Sequence, residues 1–415
     1  MKVFKFGGAS IKDAESVRNI GKILSSQSNE KLIVVASAMG KMTNAFEWLI
    51  NSYCYSQDKL KESLNDIVDF HNNILWELFP EKSHKVYVEI NELLFQLEDI
   101  LEKPYNSYYD ETYDSLVGFG ELISTTIISN YLNSVGVEND WLDARKVIQT
   151  NSDYREAKID WETTEELISK ANYNSVTVSQ GFIGSDSSGN MTTLGREGSD
   201  FSAAIFGYCL NVESVTIWKD VAGVLNADPK HFPEATKIDK MSYREAIELS
   251  YYGATVIHPK TIKPLENKEI SLYVNSFLNP DGEGTVVQKL TTFDALKPSY
   301  IFIEDQILVS ISPKDFSFIA EDNMSFIFGE LSKAKLKVNL VQNSALNLSL
   351  CFENDDKKVK QFFESIKGSF IVKYNENVTL LTIRHYSDEV VENMTKDKQI
   401  YLEQKSRNTA RFILK

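Results

Sequence analysis

The sequence predicts an α/β fold: an αβα sandwich on a mainly parallel open sheet, followed by small α+β modules of ferredoxin-like pattern. Three observations predict it. The run Leu32-Ile33-Val34-Val35 is continuously apolar, as a strand buried on both faces of a parallel sheet must be. Runs of this kind alternate with helical periodicities as far as about residue 275, and such alternation implies a parallel sheet with helices on both faces. From about residue 296 the units shorten and repeat, as in small α+β modules.

At 415 residues the chain has room for two or three domains with large cores. Its net charge of -15 disfavours a nucleic-acid partner, because phosphate backbones need a basic face. A small anionic ligand stays compatible, since it needs only a local positive pocket. Lys2 and Lys5 interrupt the short apolar N-terminal stretch, so no signal peptide is expected. No long uncharged apolar window marks a membrane span. Three scattered cysteines, Cys54, Cys209 and Cys351, lack metal-ligand spacing and suit a reducing cytoplasm.

Taken in order, Val3–Phe6 reads as a strand running into Gly7-Gly8. Ala14, Val17, Ile20 and Leu24 then recur at helical spacing, with Ser10 and Asp13 as a capping pair. Leu32–Val35 is the second strand. Residues 41–117 contain no glycine and carry Leu, Ile, Phe, Glu and Lys in helical pattern, which predicts two or three helices inserted after that strand. Alternation resumes with a helix near 119–133, a strand near 137–142, a helix near 161–171 and a strand at 175–179. A turn-rich stretch, a helix from about Asp200 to Leu210 and a strand at 214–218 come next. Ser242-Tyr243-Arg244-Glu245 has the pattern of a capping box, and a strand near 270–275 closes the alternation. Beyond residue 296 the pattern is βαββαβ-like over about 304–374. A second partial copy over about 375–415 lacks a closing helix and strand.

Ligands in open α/β sheets bind at the carboxyl ends of the strands. Four segments sit at such ends: Lys5–Ser10, Ser37–Thr43, Gly181–Gly184 and Trp218–Lys230. Gly7 and Gly8 let backbone N–H groups approach phosphate oxygens, the next helix points its N-terminus there, and Lys5 can reach over the turn. A tight strand–helix turn with an exposed lysine satisfies the same short motif. In Thr192–Asp200, Arg196 between glycines suits a carboxylate or phosphate, and Ser199 or Asp200 can cap the helix. A plain glycine loop capped by Asp200 fits as well. Glu121 opens a helix, where it either complements the dipole or binds an ammonium. The stretch 218–230 offers polar turn groups suited to a nucleotide. The five histidines (71, 84, 231, 258, 385) show no pair at metal spacing, and His258 beside Pro259 reads as structural. No nucleophile elbow and no dinucleotide fingerprint occurs.

Four segments together resemble the aspartate kinases of the amino-acid kinase family: Lys5-Phe6-Gly7-Gly8-Ala9-Ser10, the stretch 180–204, Trp218–Lys230 and Ser242–Thr261. The C-terminal modules resemble that family's ACT domains. The resemblance implies a catalytic domain over 1–290, with 41–117 as a helical insertion near the substrate site, and tandem ACT-like modules over 296–415. It implies transfer of the γ-phosphoryl group of MgATP to the β-carboxylate of L-aspartate, the first step toward lysine, threonine and methionine. An ionised carboxylate needs no general base, which agrees with the lack of a catalytic histidine or activated serine.

By position, Lys5 would neutralise the transferred phosphoryl group and Asp200 would orient Lys5. Gly7, Gly8 and Ser10 would hold phosphate. Arg196 would grip the substrate α-carboxylate and Glu121 its ammonium, with Ser37, Thr43 and Ser199 completing the substrate site. Lys219, Asp220, Leu225, Asp228 and Lys230 would line the nucleotide site. Mg²⁺ would rest on phosphate oxygens and water, with no protein side chain as its sole ligand. Lysine or threonine is the expected effector, with Ser312, Asp315, Asn339, Gln342 and Asn343 as contacts in the stretches 312–316 and 339–343. Paired sister modules imply a homodimer, and neither nucleic acid nor membrane is an expected partner.

Five positions depart from the family pattern. Ala9 stands for a usual Thr, Glu197 for Gly, Leu225 for a frequent Tyr, Lys230 for a frequent Arg and Thr255 for a common Lys. Thr255 removes a positive charge near the ATP phosphates. The rival readings are an amino-acid sensor with weakened catalysis and a sister kinase acting on another carboxylate.

Overall fold

The computed structural model describes the chain from Met1 to Lys415 except residues 28, 29, 255, 256, 291, 293, 295, 296 and 316. The chain divides into two compact units. The first comprises Met1–Val224, Lys237–Ile247 and Ile257–Thr291, and the second Leu225–Thr236, Glu248–Val256 and Thr292–Lys415. Two segments before the expected boundary near 290 therefore go with the second unit. Backbone bonding explains one of them: Tyr300 N donates to Asn226 O at 2.7 Å, and Asn226 Nδ2 donates to Pro298 O at 3.0 Å.

In chain order the elements of the first unit begin with β1 (Lys2–Phe6), α1 (Ala14–Ser25), β2 (Leu32–Ala36), α2 (Met42–Tyr55), α3 (Leu60–Leu78), α4 (Val86–Leu101), α5 (Tyr109–Val117) and α6 (Phe119–Ser134). They continue with β3 (Asp140–Leu142), α7 (Trp161–Lys170), β4 (Val176–Gln180), β5 (Ile183–Ser185), β6 (Met191–Thr193), α8 (Gly198–Leu210) and β7 (Ser214–Lys219). Then come β8 (Lys240–Ser242), α9 (Tyr243–Tyr251, of which Glu248–Tyr251 counts with the second unit), α10 (Pro259–Asn267), β9 (Ser271–Ser276) and β10 (Thr285–Gln288).

Eight strands form one sheet in the order β3-β4-β2-β1-β7-β9-β10-β8. Every pairing is parallel except β9 with β10, so the sheet is mainly parallel, as expected. β2 and β4 are buried along their whole length, which is why they read as unbroken apolar or small-residue runs. Helix α8 packs on β1, β2 and β7 with α7 and α10 beside it, while α6 packs on β2, β3 and β4 with α1 and α4 beside it. Both α6 and α8 are buried almost throughout, so neither shows a clear amphipathic stripe.

Several sequence expectations are corrected. The stretch 41–117 holds four α-helices rather than two or three. Short breaks near 56–59, where Gln57–Lys59 forms a 3₁₀ turn, and near 79–85 and 102–108 divide it without any glycine signal. Ser10 does not cap α1. Asp13 does, accepting from Ser16 N at 2.8 Å, while Ser10 lies in the preceding 3₁₀ turn. The β5–β6 hairpin was legible only as turns, because its strands are three residues each. The capping box at Ser242 holds: Glu245 N donates to Ser242 Oγ at 3.0 Å. His258 is a cap for α10, accepting from Lys260 N at 3.2 Å.

The second unit contains β11 (Ser299–Pro313), α11 (Glu321–Lys333), β12 (Val338–Asn343), β13 (Leu348–Glu353), α12 (Asp356–Ile366), β14 (Phe370–Arg384), α13 (Asp388–Thr395), β15 (Ile400–Lys405) and β16 (Thr409–Leu414). They form one antiparallel sheet, β12-β13-β11-β14-β16-β15. β11 and β14 are each fifteen residues long and serve both halves, with register shifts near Ile303–Leu308 where one half passes into the other. The second copy is therefore not simply cut short. Ser299–Ile303 supplies it with a strand from ahead of the first copy, paired with Leu380–Arg384. Sequence order hid this because the strand precedes its partners by some eighty residues. One apolar cluster lies under α11 and α12, a second under α13, and a third joins Leu308, Leu340 and Cys351 of one half to Val378, Leu380, Leu402 and Ile413 of the other. Arg411 crosses the same junction, donating to Asn339 O at 2.7 Å.

Among the described residues no helix is long and apolar enough to cross a membrane.

Candidate active site

The register aligns four carboxyl ends side by side: Phe6 lies opposite Ala36 and Trp218, and Ala36 opposite Gln180. The loops leaving those strand ends form the site. Side chains alternate across a strand, so Phe4 and Phe6 share one face of β1 and pack on Trp218. Lys5 occupies the other face. Its ammonium lies 2.5 Å from Asp200 Oδ1, in the first turn of α8, and both side chains are buried (9% and 1% exposed). Among the described residues neither Asp200 oxygen takes an aligned hydrogen bond, so the pair is held by charge. A buried pair of this kind is costly to desolvate and weak evidence for stability, which points to a functional reason for keeping it.

The Lys5 ammonium also sits beside the first glycine: a Cβ on Gly7 would lie 3.1 Å from it. A Cβ on Gly8 would meet the carbonyl oxygens of Ala38 and Gly40 at 2.8 Å each, so no side chain fits there. Gly8 O accepts from Ile11 N and Gly40 N, and Gly7 O from Ser10 N. The Gly7 and Gly8 N–H groups have no backbone acceptor among the described residues. Two bare amides and a buried cation thus share one turn. Ser10 Oγ is buried and contacts Trp218 O at 3.4 Å, a long hydrogen bond at the end of β7.

The loop after β2 faces this turn. Ser37 N donates to Phe6 O, and Ser37 O accepts from Ser124 Oγ at 2.7 Å. Ala38 N donates to Glu121 Oε1 at 3.1 Å, which locks the glutamate of α6 to the loop. Glu121 Oε2 is buried with no hydrogen-bond partner among the described residues. Burial pushes the Glu121 carboxyl up to about 8, with the Ala38 amide and the Lys5 charge opposing it. A group carrying an ammonium would satisfy the orphaned oxygen. Thr43 stands half-buried in the first turn of α2.

The loop before α8 completes the arrangement. Gly181 touches Ser199 so closely that a Cβ there would lie 2.5 Å from the Ser199 Cβ, which seats the α8 N-terminus against the end of β4. Arg196 and Glu197 are exposed. Glu197 has φ 54 and ψ 28, the left-handed region in which glycine is at ease. Sequence reading passed over Asp114 of α5, fully buried and accepting from Thr193 N, Thr193 Oγ1 and Arg155 N at 2.7–2.9 Å. It ties the helical insertion to β6, and in sequence nothing sets it apart from Asp110 and Glu111 of the same helix.

The expected nucleotide residues divide between the two units. Lys219 ends β7 and Asp220 comes directly after it, exposed. Leu225, Asp228 and Lys230 belong to the second unit, where Asp228 Oδ1 accepts from Lys230 N in an exposed turn. Thr255 lies outside the described residues. Of the effector candidates, Ser312, Gln342 and Asn343 line one cavity of about 300 Å³ with Ser310, Asn347 and Lys373. Asp315 instead caps Ser317 N, and the Asn339 amide donates to Gln306 Oε1, so neither lines that cavity.

A family model, described as the amino acid kinase family, matches residues 1–276. The chain belongs to the amino acid kinase family. Lysine-sensitive aspartokinase 3 of Escherichia coli (strain K12) is 30% identical over 85% of this chain and 78% of that protein. A chloroplastic bifunctional aspartokinase/homoserine dehydrogenase of Daucus carota is 29% identical over 89% of this chain, which spans 42% of that longer protein. Among solved structures, E. coli aspartokinase III bound to lysine and aspartate superposes with a TM-score of 0.84 at 26% identity, over 100% of this chain and 95% of that one. The same E. coli protein with aspartate and ADP gives 0.83 at 26% identity, over 100% and 96%. In the Lys-x-Gly-Gly turn the lysine is buried, so this is not a strand turn with an exposed lysine.

Proposed function

We propose that the chain is an aspartate kinase, transferring the γ-phosphoryl group of ATP to the β-carboxylate of L-aspartate to give 4-phospho-L-aspartate and ADP. The observation that carries this reading is the meeting of three things at the strand ends. They are the Lys5–Asp200 pair, the bare Gly7 and Gly8 amides, and the orphaned Glu121 oxygen. The relatives and neighbours named aspartokinase support it.

Phosphoryl transfer asks for positioning and cancellation of charge rather than for a base. In this reading the Gly7 and Gly8 N–H groups and the Lys5 ammonium receive the oxygens of the moving phosphoryl group. Asp200, fixed in the first turn of α8, keeps the ammonium over the turn before substrate arrives. Glu121 takes the substrate ammonium, and Arg196 takes the α-carboxylate, with Ser37, Thr43 and Ser199 around it. Held at both ends, aspartate presents a β-carboxylate oxygen to phosphorus. The new O–P bond forms as the bond to the ADP oxygen breaks, and the electron pair leaves with ADP. Charge neutralisation of the phosphates would be supplied by Mg²⁺ carried with ATP, which would rest on phosphate oxygens and water rather than on a protein side chain alone. Ser10, Lys219 and Asp220 extend the phosphate end, whereas Leu225, Asp228 and Lys230 enter through their motif alone.

The second unit carries the tandem ACT-like modules, and the cavity at Ser312, Gln342 and Asn343 is assigned to lysine or threonine. An ADP-release assay with L-aspartate and ATP tests the central claim. Turnover that disappears in Lys5→Ala supports it. Absence of turnover, with calorimetric binding of an amino acid but not of ATP, would instead make the chain a sensor.

A further inference from the structure

Lys260, in the first turn of α10, is used by none of the steps above. Its ammonium donates to Leu194 O at 2.8 Å and lies 5.0 Å from the centre of the Phe201 ring. Those two residues bracket the loop Gly195–Asp200, one immediately before it and one immediately after. Gly198–Asp200 already belong to α8, and the part ahead of the helix, Gly195–Glu197, carries few bonds of its own. Gly195 and Glu197 both have positive φ, Arg196 and Glu197 are exposed, and the internal bond is Gly198 N to Gly195 O at 3.0 Å. A half-buried ammonium fixed on a carbonyl and a ring face sets both flanks with one group, since charge-assisted bonds and cation–π contacts strengthen away from water. Burial lowers the Lys260 pKa, with Glu156 opposing the change, which agrees with an ammonium drawn in from solvent.

We infer that Lys260 is a positioning residue for the substrate loop: it clamps Leu194 and Phe201 so that Arg196 and Ser199 meet aspartate in one fixed arrangement. The inference rests on the aspartate kinase reading. It locates the effect in substrate binding, because Asp200 is fixed separately by its helix and by Lys5. Lys260 also forms one wall of a cavity of about 340 Å³, lined by Trp161, Phe201, Tyr208, Lys263, Pro264 and Asn267. That opening lets a small molecule reach the place the ammonium occupies.

The test is Lys260→Ala in the full chain, with kcat and KM for aspartate and for ATP measured separately. The expected result is a KM for aspartate raised about tenfold, the size of one lost charge-assisted bond, with kcat changed by less than about threefold. Added ethylammonium should restore much of the aspartate KM through the cavity. Tetramethylammonium at equal ionic strength should not, because it has no N–H to give Leu194 O. Lys263→Ala, on the same cavity wall, should leave both constants unchanged. An unaltered KM for aspartate in Lys260→Ala overturns the inference, as does a KM that neither amine moves. Should the unmodified chain turn over no aspartate at all, the functional reading fails first and the two failures are distinct.

Discussion

Glu121 Oε1 accepts the Ala38 N–H at 3.1 Å while its Oε2 is buried with no hydrogen-bond partner among the described residues. One oxygen is fixed by the protein, and the other waits for a donor. Burial pushes the carboxyl up to about 8, from an ordinary value of 4.5, against the opposing pull of the Ala38 N–H and the Lys5 charge. The folded state then holds a proton that the unfolded chain releases between those values. Stability without substrate should be greatest below pH 4.5 as far as this group is concerned, and should fall as pH rises toward 8, by at most about 1.4 kcal/mol per pH unit. Thermal or urea unfolding across that window checks it. Glu121→Gln should remove this part of the slope, and an unchanged slope in the variant would refute the assignment.

Aspartate should expel that proton. A substrate ammonium beside Glu121 favours the carboxylate, so binding below pH 8 releases up to one proton, and affinity rises with pH by up to about tenfold per unit. Calorimetry in two buffers of different ionisation enthalpy reads the proton directly. A heat independent of buffer would mean that aspartate does not meet this carboxyl.

Lys5→Met should lower kcat by at least about 10²-fold, the scale for losing one group aimed at developing charge. It should also destabilise the fold by about 3–5 kcal/mol, since Asp200 is left buried and unpaired. Lys5→Met combined with Asp200→Asn removes both charges and should recover most of that stability while remaining inactive. If the double variant regains activity, the lysine is structural.

Much of the site was legible because glycines and charges at strand ends are local features. Lys5, Gly7, Gly8, Glu121, Ser199 and Asp200 could be singled out from motif and position, and the register brings them together. What could not be read depends on distant partners. Ser299–Ile303 joins a sheet half whose other strands begin some eighty residues later. Asp114 and Lys260 act through backbone groups that only the fold brings near. The capping of α1 was misread because Ser10 and Asp13 are both good cap residues, and only the 3₁₀ turn decides between them.

Glu197→Gly should stabilise the protein by about 0.5–1 kcal/mol. A side chain in the left-handed region costs about 1–2 kcal/mol, of which glycine gives back part through its greater unfolded freedom. It also removes a carboxylate beside Arg196, so the KM for aspartate should fall rather than rise. A chemical melt and the kinetic constants decide it; a less stable variant would show that Glu197 makes contacts that outweigh its backbone strain.

Gly8→Ala tests the cradle itself. The new Cβ would meet two backbone oxygens, Ala38 O and Gly40 O, at 2.8 Å, and backbone cannot step aside as a flexible side chain can. The turn must open, at a cost of about 1–3 kcal/mol, the range for forcing an extra methyl into a packed site. Opening it moves the Gly7 and Gly8 amides away from Lys5, so ATP binding should weaken more than aspartate binding. Gly329→Ala is the matched control: it lies exposed within α11, a Cβ there meets nothing within 4 Å, and alanine should stabilise that helix by about 0.5–1 kcal/mol. Titrating both variants with ATP separates the cases. Wild-type ATP affinity in Gly8→Ala would place the phosphates somewhere other than this turn, and the proposed role of the two amides would fall with it.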